Sequence, residues 1–432
     1  MMKNLRGKRV LVYGMGGSGN SACRLLHKLG ACVSVFDDDK KYRSLFCFDE
    51  QPLCHKYDLV VVSPGIKVIG NTLISGFRSK KTQIISEIDL GSQFCKGKLI
   101  AITGTNGKTT TCSLLGKIFE EAGKKVAVCG NIGLPISSIA LSTDKKSFVV
   151  CETSNFQLEL SSIFSPDIAC VLNIAPDHID RHGTFEEYKR IKNSIFKNFR
   201  RQNKAVVNLD DEMTMSLDLP KNVEYFSLNP LKKGVCIKNG YIYHGKTRIV
   251  GTSDISLLGD KNMSNVMAAV TIALLCKIKT KYIRYALMRF SPPAHRLQFV
   301  GEFSGVRYIN DSKATNIACV DMAIESLNVK NLVLMLGGQN KDLDFSLFFA
   351  RHSDIKQLIC FGQAGEQIAE SAKAYGYEPH VFDSLKSATK FAKENAQRGD
   401  TVLLSPGCTS FDEFSSYAVR GQIFMELVKG ES

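Results

Sequence analysis

Lys98-Leu99-Ile100-Ala101-Ile102-Thr103-Gly104-Thr105-Asn106-Gly107-Lys108-Thr109-Thr110 decides the fold. Residues 99–103 form a short, β-branched apolar run of strand type, and a glycine turn follows at once. Beyond the turn, Leu114, Leu115, Ile118, Phe119 and Ala122 recur on one helical face, closed by Gly123. A strand, a glycine loop and a helix in that order aim unpaired backbone N–H groups and the positive end of the helix dipole at phosphate. Lys108 then reaches the β and γ phosphates of ATP, and the Thr109 hydroxyl is placed for Mg²⁺. The common G-x-x-x-x-G-K-[ST] loop would need glycine at position 102, where Ile102 stands, so this loop is a shortened G-x-x-G-K-T. Gly104, Thr105, Asn106, Gly107, Lys108, Thr109 and Thr110 are the candidate ATP-binding residues.

The same cycle precedes this segment. Residues 9–13 read as a strand, Gly14-Met15-Gly16-Gly17-Ser18-Gly19 as a loop of G-x-G-x-x-G type, and Ala22, Leu25, Leu26 and Leu29 as one face of a helix ending at Gly30. Residues 32–36 give the next strand, and Asp37 ends it, placed for a ribose hydroxyl. By itself this loop fits a nicotinamide-dependent oxidoreductase, a nucleotide-sensing binding protein, or a tight turn that needs small residues. Towards the other end, helical patterns near residues 262–276 and 281–290 precede Pro292-Pro293, the only Pro-Pro pair, which reads as a linker. The expected fold is therefore α/β with three domains: a Rossmann-like N-terminal domain over residues 1–96, a central P-loop ATPase-type domain over 97–291 and a Rossmann-like C-terminal domain over 292–432.

Composition excludes several classes. The longest nearly apolar run, residues 267–276, is far shorter than the roughly 20 residues a membrane helix needs, and no signal-peptide core is visible. Fourteen cysteines are scattered over 432 residues without a C-x-x-C pair, as in a cytoplasmic protein with reduced, mostly buried thiols. The net charge of +14, from 56 Lys and Arg against 42 Asp and Glu, suits an anionic partner or simply a lysine-rich surface. The basic residues form no arm or patch, so nucleic acid is not an expected partner.

The shortened loop resembles that of the Mur ligases and their folylpolyglutamate synthase relatives. Asn131-Ile132-Gly133, Glu152-Thr153-Ser154-Asn155-Phe156-Gln157, Asn173-Ile174-Ala175-Pro176-Asp177-His178, and Asn262 with Asn265 follow in the order of that family's central domain. His295-Arg296, Asp311-Ser312-Lys313-Ala314-Thr315-Asn316, Gly337-Gly338-Gln339-Asn340-Lys341 and Ser410-Phe411 follow in the order of its third. Most of these motifs end apolar strand-like runs, and the carboxyl ends of parallel strands are where open α/β sheets bind ligands.

The resemblance implies an ATP-dependent ligase, expected as a cytoplasmic monomer, that forms an amide bond through an acyl phosphate, with two Mg²⁺ ions. It implies that Lys108, Glu152, His178 and Lys192 are catalytic, with Thr109, Glu152, His178 and a carbamylated Lys192 on the metal side. Asn262, Asn265, Arg296 and Asp311 would join the ATP loop. Gly17, Ser18, Asp37, Asn131, Ser154 and Gln157 would hold a UDP-linked precursor, so the first glycine loop need not hold a nicotinamide cofactor. Lys313, Thr315, Lys341, Ser410, Phe411 and Tyr417 look like an amino-acid pocket. The surroundings of Lys341 and Ser410 favour D-glutamate, added to UDP-N-acetylmuramoyl-L-alanine, over the substrates of sibling ligases that take L-alanine or a diamino acid. Two positions depart from the family pattern: Asp38-Asp39 replaces the Thr-Arg that often follows the first strand-ending Asp, and Thr409 replaces the usual Ala.

Lys192 also stands out without any resemblance. In a helix expected over residues 185–199 it shares the apolar stripe of Phe185, Tyr188, Ile195, Phe196 and Phe199. Its amine either snorkels past the core edge to water or is desolvated towards the neutral form, which can capture CO₂ as a carbamate.

Overall fold

The computed structural model describes residues 4–39, 42–43, 47–255, 257, 259–291, 294–327, 329–339 and 344–430. Strand and helix alternate through most of the chain. The first sheet is built from β1 (Arg9–Tyr13), α1 (Gly17–Lys28), β2 (Cys32–Phe36), β3 (Leu59–Val62), α2 (Thr72–Ser79), β4 (Gln83–Ser86) and α3 (Glu87–Phe94). Its strands lie parallel in the order β2-β1-β3-β4. Val10, Leu11 and Val12 are fully buried, as expected of a strand covered by helices on both faces.

The second sheet comprises β5 (Lys98–Thr103), α4 (Lys108–Glu121), β6 (Val126–Gly130), α5 (Ile136–Ile139), β7 (Phe148–Glu152), α6 (Asn155–Leu158), β8 (Ile168–Val171), α7 (Ile179–His182), α8 (Phe185–Asn193), β9 (Lys204–Asn208), α9 (Glu212–Met215) and β10 (Val223–Ser227). The chain extends it with β11 (Val235–Lys238), β12 (Tyr241–His244) and β13 (Thr247–Gly251), then packs α10 (Asp260–Leu275) and α11 (Thr280–Arg289). The strand order is β13-β12-β11-β10-β9-β8-β5-β7-β6, with antiparallel pairing only where β12 meets β11 and β13. This places the carboxyl ends of β5 and β7 side by side, each followed by a candidate motif.

The third sheet, β14-β15-β19-β16-β17-β18, is parallel apart from the β14–β15 hairpin. Its elements are β14 (Gln298–Phe303), β15 (Val306–Asn310), α12 (Ile317–Leu327), β16 (Leu332–Gly337), α13 (Ser346–Arg351), β17 (Gln357–Phe361), α14 (Gly365–Lys373), β18 (His380–Phe382), α15 (Leu385–Asn395), β19 (Thr401–Gly407) and α16 (Tyr417–Lys429). Three α/β sheets are thus present, as the repeating strand–loop–helix pattern leads one to expect. The chain condenses into two compact units, residues 1–256 with 263–290 and residues 257–262 with 291–432. The Pro292-Pro293 linker lies outside the described residues. All fourteen cysteines are free thiols, and among the described residues no helix is long and apolar enough to cross a membrane.

Within the first unit, two acids of α3 reach from the first sheet into the second. Asp89 completes a capping box with Ser86, and its carboxylate accepts from Ser161 Oγ (2.9 Å), Ser162 N (2.9 Å) and Ile163 N (3.3 Å). Glu87 accepts from the backbone N–H (2.8 Å) and the hydroxyl of Ser137. Burial raises the pKa of both carboxyls.

The helix expected over residues 185–199 is shorter. The α-helix stops at Asn193 and a 3₁₀ turn, Ser194–Phe196, follows. The Ser194 hydroxyl donates to Ile191 O at 2.6 Å, a local bond that competes with continued α-helix.

Candidate active site

The second glycine loop links β5 to α4 as its sequence demands. Gly107 has φ +81°, and a Cβ there would fall 2.0 Å from Asn265 Oδ1, so only glycine fits between the loop and α10. This also puts Asn265 at the candidate nucleotide loop. Thr109, in the first turn of α4, donates its hydroxyl to Glu152 Oε2 at 2.8 Å, and Asn131 Nδ2 donates to Glu152 Oε1 at 2.9 Å. Glu152 is buried at the end of β7, so one carboxylate ties together the loops that follow β5 and β6.

Lys108 Nζ donates to the carbonyls of Gly104 and Thr105, both at 2.8 Å. The segment after β8 is laced to the same loop. Asn106 N donates to Asn173 Oδ1 (2.9 Å), Thr105 N to Asn173 O (3.0 Å) and Ala175 N to Thr105 Oγ1 (2.9 Å). His178 follows in a left-handed conformation (φ 52°), its ring 4.7 Å from that of Phe156 and its Nε2 3.4 Å from Asp177 Oδ2.

Lys192 is fully buried, so the snorkelling alternative is overturned. Its Nζ donates to Gly104 O at 3.0 Å and lies 4.6 Å from the Tyr188 ring centroid. Tyr188 OH is in turn 2.9 Å from Thr105 Oγ1. Burial first, then the charge of Lys108, drives the pKa of the Lys192 amine well below the usual lysine range, while Asp177 acts in the opposite direction. The two lysines therefore share one acceptor, Gly104 O.

Oxygen donors from Thr109 and Glu152 suit a hard cation such as Mg²⁺. Among the described residues no three His, Cys, Asp or Glu side chains gather as a metal cage.

At the first glycine loop, Gly17 and Ser18 open α1, and the Asp37 carboxylate accepts from the N–H groups of Met15 and Asp39. Two residues not singled out in the sequence stand beside it. Tyr13 OH donates to Asp38 Oδ2 (2.9 Å) and accepts from Asn71 Nδ2 (3.0 Å), while burial pushes the phenol up to about 12. Ser154 and Gln157 cap each other's backbone at the start of α6, with Ser154 N to Gln157 Oε1 at 2.9 Å and Gln157 N to Ser154 Oγ at 3.3 Å. The S-x-x-Q spacing itself carries that signal.

In the second unit, Asp311 follows β15 and is buried, accepting from Leu297 N (3.1 Å) and Ser405 Oγ (2.9 Å). Arg296 is half-buried and electrostatically coupled to Asp311. Asn262, on α10, and Thr315 are half-buried. Lys313 Nζ sits 5.2 Å over the Tyr417 ring, Ser410 is buried and Phe411 is 63% exposed. Lys341 lies outside the described residues. Arg420, which sequence reading passed over, is wholly buried, with the charges of Asp412 and Glu413 acting on it. It donates to Ser312 Oγ (3.0 Å) and to the carbonyls of Ser312 (2.9 Å), Cys408 (3.1 Å) and Thr409 (3.1 Å), joining the loops after β15 and β19.

Burial raises the Asp311 carboxyl from 3.8 to about 7. Between those values the folded protein holds a proton that the unfolded chain has released. This group's contribution is thus complete below about pH 4 and is lost as pH rises through 7, on the order of 4 kcal/mol in all. In the unliganded protein Asp311→Asn should flatten the fall of Tm between pH 4 and 8 relative to the parent. Parallel Tm–pH curves for the two proteins would contradict it.

Residues 102–273 match the Mur ligase middle domain and residues 295–408 the Mur ligase glutamate ligase domain. A UDP-N-acetylmuramoylalanine–D-glutamate ligase from a Thermoanaerobacter species is 38% identical over 98% of this chain and 98% of its own. The ligase of that name from Pelotomaculum thermopropionicum is 39% identical over 99% of each. The chain belongs to the Mur ligase family.

Solved Mur ligases share the fold at low identity. MurF from Thermotoga maritima, solved with ADP, has a TM-score of 0.61 at 16% identity, covering 100% of this chain and 97% of its own. A pseudomurein peptide ligase type C from Methanothermus fervidus has a TM-score of 0.62 at 18% identity, covering 99% and 100%. Membership in the Mur ligases makes this chain an ATP-dependent ligase of peptidoglycan precursor synthesis, and the oxidoreductase alternative for the first glycine loop gives way.

Proposed function

We propose that this Mur ligase adds D-glutamate to UDP-N-acetylmuramoyl-L-alanine. The observation that carries the reading is the end-to-end likeness, at 38% and 39% identity, to ligases named for that reaction. Residues 1–96 would hold the UDP moiety, 97–291 ATP and 292–432 the amino acid.

The alanyl carboxylate attacks the γ-phosphorus of ATP, the bond to the β-phosphate oxygen breaks, and ADP leaves. The D-glutamate amine then attacks the acyl carbon of the resulting acyl phosphate. Inorganic phosphate departs, the amine proton passes to phosphate or solvent, and the amide remains. Anionic groups must crowd together for both steps, so the work of the protein is to position and neutralise them.

Lys108 would leave the Gly104 and Thr105 carbonyls for the β and γ phosphates. Thr109, Glu152, His178 and Lys192 as its carbamate would hold Mg²⁺, which supplies further charge neutralisation. Asn131, Ser154 and Gln157, with Gly17, Ser18 and Asp37, would orient the UDP precursor. Asn262, Asn265, Arg296 and Asp311 would complete the nucleotide site. Lys313, Thr315, Lys341, Ser410, Phe411 and Tyr417 would receive D-glutamate, where a lysine paired with hydroxyl and backbone donors suits two carboxylates.

Phosphate release tests the reading. It should require ATP, the UDP-linked alanyl precursor and D-glutamate together, and L-alanine or a diamino acid should not replace D-glutamate. Turnover with one of those instead would move the chain to a sibling ligase, and none with any amino acid would end the proposal.

A further inference from the structure

Arg181 has no part in the chemistry above, yet it is placed to influence it. It lies on α7, three residues after His178, with only 12% of its side chain exposed. Nε and Nη2 donate to Glu159 Oε2 at 3.1 and 2.7 Å, and the Glu159 side chain is 6% exposed. Nη2 also donates to the carbonyls of Pro64 (2.9 Å) and Ile66 (2.7 Å), in the loop that follows β3 of the first sheet. A planar fork of fixed donors can serve a carboxylate and two carbonyls at once, which an ammonium on a flexible stem does less well. A buried ion pair is a poor source of net stability, since desolvation offsets its attraction, so its retention here points to geometry.

The Pro64–Ile66 contact is the floor of the first glycine loop. Ser63 donates its hydroxyl to Gly14 O at 2.6 Å and its N–H to Tyr13 O at 2.9 Å. A Cβ at Gly14 would come within 2.9 Å of both Ser63 and Ile66. On its other side the Arg181 guanidinium lies 4.1 Å from the Phe156 ring centroid, and that ring packs 4.7 Å from His178. Phe156 sits between Ser154 and Gln157, the mutual caps of α6. One largely enclosed cation therefore joins the loop under the candidate UDP site to the tilted ring pair of Phe156 and His178.

We propose that Arg181 is a positioning residue. It fixes the first glycine loop and the Phe156–His178 ring pair in one register, so that seating the nucleoside-diphosphate-linked carboxylate and setting the His178 imidazole for the metal are coupled. This rests on the ligase reading above.

Three variants test it. Arg181→Lys keeps the charge, the double variant Arg181→Met with Glu159→Gln leaves no buried charge unpaired, and Phe156→Leu cuts the link only on the His178 side. Affinity for UDP-N-acetylmuramoyl-L-alanine, titrated without ATP or Mg²⁺, should fall about tenfold in both Arg181 variants and stay within about twofold in Phe156→Leu. The Mg²⁺ concentration for half-maximal rate should rise about fivefold in all three, with the D-glutamate KM within about twofold.

A merely structural role would lower kcat evenly and leave the titrated affinity and the Mg²⁺ requirement unchanged, which would overturn the proposal. If the double variant fails to fold, Arg181→Lys, which keeps the charge, decides by its titrated affinity and Mg²⁺ requirement together. An inactive parent enzyme sinks the ligase reading and this inference with it, whereas an active parent with unaltered variants sinks only the inference.

Discussion

Replacing Lys108 with alanine should lower phosphate release about a thousandfold or more while the protein stays folded. The side chain donates to two carbonyls of its own loop, Gly104 and Thr105, and is not among the buried residues. Its loss removes little packing, because the helix it opens is anchored by Leu114, Leu115, Ile118 and Phe119, each fully buried. On the proposed reading, what disappears is the cation that would neutralise the transferring phosphoryl group, a contribution greater in the transition state than in the ground state. The check is phosphate release under saturating substrates beside a thermal melt. Near-normal release from a folded variant would remove the loop from the ATP site.

Lys192→Ala should lose most activity, about a hundredfold, and regain part of it with added acetate or formate. The desolvated amine described above is the species that can attack CO₂, forming an N–C bond and losing a proton to give a carbamate anion. In the structure that amine already lies beside Gly104, at the root of the nucleotide loop. A small carboxylate diffusing into the space left by alanine would restore the anion, though not its tether. Full activity of the variant in CO₂-depleted buffer without added carboxylate would rule out the carbamate and leave Lys192 as a buried structural lysine.

The parts of this site legible in the sequence are those whose chemistry is local. Gly104 to Thr110 announce themselves because a phosphate loop needs small residues, a cation and a hydroxyl within a few positions of a strand end. β1 and β5 are equally legible, being largely apolar runs with glycine directly after them. The end of α8 is not, because the Ser194 hydroxyl, a single local bond, decides it. Arg181 escapes notice because two of its partners, Pro64 and Ile66, are more than a hundred residues away and offer only carbonyls, which leave no trace in residue type. Arg420 escapes because most of its acceptors are backbone carbonyls. Ser154 and Gln157 show a further limit, since one spacing serves both a substrate motif and a helix cap, and the structure shows the cap.

The acids of α3 bear on how this protein can be cut. A break between residues 96 and 97 separates two sheets, yet it severs neither a flexible tether nor a free-standing core. A fragment ending there would keep Glu87 and Asp89 but lose Ser137 and the 161–163 backbone that answer them. It would also bare Ile88, which packs in the core of the second sheet, and lose Ala140 from the core of the first. Such a piece would enter solution with newly exposed apolar surface and two orphaned acids, an invitation to aggregate. The economical cut for dissecting the enzyme therefore leaves residues 1–290 whole.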